Sequence, residues 1–145
     1  MRTDPDGVLL GASLAFAGAT VLGSVVAVRD QLPGQPLGLT VPLSVPAGLV
    51  AGWGAGVAAP WPMPAAAVIA AATAPGRPPS PLPGAVCAAI GLGCIAGTFA
   101  EPVTRRPRSW SPATGVAIGV NVAAAAVLIA AGARHAATAR ARRTL

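Results

Sequence analysis

The sequence predicts an all-α membrane protein: a four-helix transmembrane bundle with a short extra apolar half-helix after the second span. Three observations carry that expectation. First, 54% of the 145 residues are hydrophobic and only 10% are charged, against roughly 25% charged in soluble domains. A water-soluble fold with so few charges has no adequate surface. Second, the charges are segregated. They fall at Arg2, Asp4 and Asp6, at Arg29 and Asp30, at Arg77, at Glu101, Arg105, Arg106 and Arg108, and at Arg134, Arg140, Arg142 and Arg143, with uncharged apolar runs between. One charge at a helix centre costs about 2.5 to 3.5 kcal/mol on insertion, and these runs avoid it. Third, Gly48, Gly52 and Gly56 repeat every fourth residue inside one such run. On a helix they form a groove free of side chains, a glycine zipper against which another helix packs. In water each glycine costs a helix roughly 1 kcal/mol relative to alanine; in a bilayer the backbone stays helical to satisfy its own hydrogen bonds.

The expected elements follow in order as one integral membrane domain over residues 1–145. Residues 8–28 make a first span of the roughly 20 residues that a crossing needs, after a polar leader that lacks the basic start of a signal peptide. A loop with Pro33-Gly34 and Pro36 follows. The second span is expected over 40–59, with Pro42 and Pro46 in its first turns, where a missing N–H does least harm. Pro60, Pro62 and Pro64 then interrupt the chain. The apolar stretch 65–74 is about 15 Å long as a helix, half the hydrocarbon thickness; a re-entrant half-helix, an interfacial helix and a short fifth crossing compete, and with Thr73 as its one polar residue it reads as a segment buried against the other helices. After a proline-rich loop, the third span covers 82–100 and the fourth 112–132, and a basic tail occupies 133–145. Ala89, Gly93 and Gly97 line one face of the third span; Gly115 and Gly119 line one face of the fourth. These are further close-approach surfaces.

Four spans place both termini on one side, with Arg2, Arg77 and the four tail arginines, against Arg29, Arg105, Arg106 and Arg108 on the other. The count favours cytoplasmic termini. Every basic residue is an arginine, and alanine, glycine and proline abound, the mark of GC-rich bacterial coding. The expected location is the bacterial inner or plasma membrane, with the lipid bilayer as first partner. The net charge of +6 sits in short flanks of apolar runs and does not indicate nucleic acid.

Chemistry-bearing residues are few. Asn121 falls at the middle of the fourth span, where an unpaired amide is expensive, and points roughly 140° from the Gly115/Gly119 face. It is a candidate interhelical hydrogen bond or a ligand for a solute. Glu101 is the one carboxylate near the end of a span, and Arg105 follows a helical turn later, so an interfacial Glu101–Arg105 ion pair is expected. Cys87 and Cys94 lie on one helix face roughly 10 Å apart, too far for a disulfide, and read as small buried hydrophobes. His135 has no metal-ligating partner in the tail, so no metal site and no cofactor are expected. No nucleophile elbow, phosphate loop, Cys-x-x-Cys or His-Glu-x-x-His occurs, which argues against an enzyme. The first functional expectation is a non-enzymatic protein acting through helix packing, as a homo-oligomer or as an accessory subunit of another membrane protein. The alternative is a small transporter or pore with a midplane site at the broken helix 60–64 and Asn121.

Overall fold

The computed structural model describes residues 4–76 and 78–143. Arg2 and Arg77 lie outside them. Among the described residues the chain forms five helices and no strands: α1 (Pro5–Arg29), α2 (Val45–Ala51), α3 (Pro62–Ala72), α4 (Leu82–Ala100) and α5 (Pro112–Arg143). Three of them, α1, α4 and α5, are long and apolar enough to cross a membrane.

Each long helix starts where local chemistry permits. Asp4 caps α1, its carboxylate accepting from the amides of Asp6 (3.1 Å) and Gly7 (3.3 Å), with Pro5 in the first turn. Leu82 and Pro112 open α4 and α5, again with proline where no amide is needed. At 1.5 Å per residue, α1 spans about 37 Å, α4 about 28 Å and α5 about 48 Å. The expected tail at 133–145 is therefore not a separate tail up to Arg143: α5 runs on without a break, because no proline or helix-ending glycine follows Gly132.

α1 and α5 are antiparallel along their whole length. Asp30 meets Ser111 and Thr114, Ala19 meets Asn121, and Asp6 meets His135. α4 is antiparallel to α5 and touches it backbone to backbone. A Cβ on Gly84 would collide with the Gly132 carbonyl, and one on Gly132 would lie 2.5 Å from the Gly84 carbonyl. α3 lies against α1 and α4. Its start is near Gly93, through Met63, and the residues after it, Ala74 to Gly76, line one cavity with Asp6 and His135. One apolar core, including Leu9, Phe16, Ala67, Cys87 and Leu128, fills the space between these four helices.

The expected second span at 40–59 is not a helical crossing. α2 has only seven residues, and it ends at Gly52, which adopts φ 90°. Gly54 is also left-handed, at φ 81°. The amides of Trp53 and Gly54 both return to the Gly48 carbonyl at 3.0 Å, a glycine-dependent helix stop. Residues 54–59 are buried, non-helical backbone folded into a tight turn, in which the Ala55 and Ala58 amides each donate to the other's carbonyl, at 3.0 and 3.2 Å. Val57 and Ala58 press on α1 at Gly23, where a Cβ would lie 2.5 Å from the Val57 carbonyl. The zipper of Gly48, Gly52 and Gly56 is thereby corrected, since the three glycines share no helix face. α3 opens on Pro62 and Pro64, in its first turn, so it begins before the expected 65–74.

Candidate functional site

The break between α2 and α3 leaves space. A cavity of about 100 Å³ lies where the non-helical backbone faces α4, bounded by Trp53, Gly56, Ala59, Met63, Thr98 and Glu101. A second, of about 220 Å³, lies on the other side of Glu101, bounded by Leu32, Gln35, Val103 and Arg106. Glu101 belongs to both.

Glu101 stands just past the end of α4, with extended backbone (ψ 132°) that stops the helix before Pro102. The residue is only 7% exposed. Its Oε2 accepts from the Gln35 amide at 2.8 Å. Burial pushes the carboxyl above the ordinary glutamate range, and the Gln35 hydrogen bond opposes that shift. The expected Glu101–Arg105 pair is absent: Arg105 is exposed, and its Nε donates to the Phe99 carbonyl at 3.3 Å. A pairing four residues apart needs a continuing helix, and the helix ends at Ala100.

Asn121 is buried at 2% exposure. Its Nδ2 donates to Ala19 of α1 at 3.1 Å and to Ala117 at 2.9 Å, while Oδ1 has no partner among the described residues. Beside it, Gly23 makes room for the amide and for Val57–Ala58. The amide thus ties α1 to α5 behind the non-helical segment. Asn121 and the non-helical segment both pack on Gly23, yet Asn121 does not border the Glu101 cavity.

Of the remaining expected contact glycines, Gly93 meets only the Met63 methyl, Gly115 only Trp110, and Gly97 and Gly119 nothing within 4 Å. The close contacts are made instead by Gly23, Gly84, Gly91 and Gly132. The readable signal was a seven-residue spacing, in which Gly84 and Gly91 alternate with Cys87 and Cys94. All four are buried. Both cysteines are free.

At the other end of the bundle, His135 is buried between α1 and the loop before α4. Its Nδ1 lies 3.0 Å from Asp6 Oδ1 and its Nε2 3.1 Å from the Ser80 carbonyl. A polar cavity of about 190 Å³ adjoins it, with Ser80, Thr138 and Arg142 in its wall. Sequence reasoning sought a partner for His135 within the tail; the antiparallel pairing supplies one from the start of α1. No group of three or more His, Cys, Asp or Glu capable of holding a metal ion occurs among the described residues.

The chain matches no protein-family model, no curated protein and no solved structure.

Proposed function

We propose that this chain is a small, non-enzymatic, multi-pass protein of a bacterial cell membrane that binds a small solute at its broken crossing and lets it pass. In this reading the membrane is crossed four times, by α1, by the non-helical backbone 53–60 continued in α3, by α4 and by α5. Both ends of the chain then face the cytoplasm. Eleven residues of α3 cover about 16 Å, and the irregular segment supplies the rest. Irregular backbone at membrane depth is tolerated where it is buried in protein or lines a polar cavity, and interrupted helices commonly build solute sites.

The observation that carries the reading is the buried carboxylate of Glu101, set between two cavities and without an arginine partner among the described residues. An ionisable group held this way is expensive and is characteristic of a functional site. The test is reconstitution of the full chain into vesicles, followed by flux of small neutral and charged solutes. Flux above protein-free vesicles that changes in Glu101→Gln supports the proposal, and vesicles no leakier than the blank to every solute overturn it.

A second reading keeps the helix-packing role. Gly11, Gly18, Gly97 and Gly119 are exposed with open space over each, so another helix has room to approach. Cross-linking in native membranes decides it. Stoichiometric recovery of one other membrane protein, or of a homo-oligomer, supports this reading; recovery of monomer alone removes it.

A further inference from the structure

We infer that the cavity beside Glu101 binds one small monovalent cation, held by the Glu101 carboxylate together with backbone carbonyls of the broken crossing. The inference rests on the solute-binding role proposed above and names the class of ligand.

Charge sets the sign. Glu101 is the one acidic residue bordering either cavity, and no basic residue borders the inner one. Among the described residues, the Arg29–Asp30 ion pair and the His135–Asp6 contact leave Glu101 out. The donor set agrees with the sign. Glu101 Oε2 accepts one amide, and Oε1 accepts no hydrogen bond among the described residues. The carbonyls of Gly56 and Ala59, both residues of the inner cavity wall, likewise accept none among the described residues. Helix formation would have used these carbonyls; the break frees them. Carboxylate and carbonyl oxygens suit a hard cation or the N–H groups of an ammonium.

Charge count and size narrow the class. A single carboxylate balances one positive charge, whereas a divalent ion would keep net charge in apolar surroundings and seeks six or more oxygens. About 100 Å³ has room for an ion with a few waters, or for methylammonium, and none for a bulky organic cation. Arg106 borders only the outer cavity, so a like charge stands on that approach. Cys94 and Arg106 are the other titratable groups around the two cavities. Protons compete for the same carboxylate, so cation affinity weakens as the pH falls.

Trp53 borders the inner cavity and reports on it. The full chain in detergent is titrated with sodium, potassium or methylammonium chloride at constant ionic strength, balanced with N-methylglucamine chloride, while tryptophan fluorescence and binding heat are followed. At least one of the three cations gives a saturable change. In Glu101→Gln its affinity drops by about tenfold or more, the size of losing one charge-assisted contact. Arg106→Gln tightens it a few fold, through removal of a like charge. Trp53→Phe abolishes the fluorescence change and keeps the heat. A flat titration for all three cations in well-folded protein overturns the inference, as does a response unchanged in Glu101→Gln. Vesicle flux separates this failure from failure of the proposed function. Passage of glycerol or urea with a flat cation titration removes the cation and leaves the solute path. Saturable cation binding with no flux of any solute keeps the site and removes the path.

Discussion

The α4–α5 seam and the break between α2 and α3 are both rich in glycine, and they use it in opposite ways. At the seam, Gly84, Gly91 and Gly132 keep ordinary helical backbone and contribute the absence of a side chain, so that two helices touch. In the break, Gly52 and Gly54 contribute positive φ, and the helix ends. One use closes space and the other opens it. The difference shows that glycine frequency alone does not distinguish a packing surface from a hinge in the chain; what surrounds the glycine does.

The largest effect is expected where the seam is tightest. Gly84→Val places atoms against the Gly132 carbonyl and the Ala136 amide, both backbone, and costs about 3 kcal/mol or more. Gly97→Ala, on the same helix but facing open space, stays within about 0.5 kcal/mol. Thermal unfolding in detergent of the two variants checks the contrast, and equal losses would break it. Next comes Asn121→Ala, which removes the tie between α1 and α5 behind the non-helical segment. A loss of about 0.6 to 1.7 kcal/mol is expected, read by the same unfolding.

Glu101→Gln has the opposite sign. The folded-state carboxyl is raised above its ordinary value by burial, so the folded chain holds its proton more tightly than the unfolded chain. Stability therefore falls as the pH rises from about 4.5 through the raised value. Glutamine avoids that loss, and the variant is expected to melt higher than the wild type at pH 8, with the gap closing toward pH 4.5. A gap that widens on acidification would refute the assignment. The smallest effect lies at Asp30, lowered to about 2 first by its hydrogen bond to Arg29, then by that to Ser111. Its contribution is present above about 3.8 and is lost as the pH falls toward 2. Asp30→Asn should flatten the melting temperature only in that window.

Three long apolar helices were legible from the uncharged runs between the charge clusters, and the bounds of α4 were legible because Leu82 and Glu101 are flanked by prolines that permit one helix between them. The second span was misread because Gly48, Gly52 and Gly56 fit a helical groove as well as they fit a helix followed by a stop. Spacing does not report φ. The true contact glycines were hidden by their seven-residue interval, which shows on a wheel only when Cys87 and Cys94 are counted as small neighbours. Glu101 was found but assigned the wrong partner, since the amide that bonds it belongs to Gln35, far away in sequence. His135 and Asp6 meet only because α1 and α5 run antiparallel in register, a relation no local pattern encodes.

That pairing bears on how the protein is made. More than half the chain separates the end of α1 from the start of α5, several seconds of synthesis at about 5 to 20 residues per second. In the membrane-spanning arrangement proposed above, α1 resides in lipid during that interval without its partner. It is equipped to do so, because Ser13, Thr20 and Ser24 each bond back to a carbonyl of α1 itself, at 3.0, 3.0 and 2.8 Å. The amide that reaches across, Asn121, belongs to the later helix. The early helix is chemically self-sufficient, and the late one brings the polar group that fastens it.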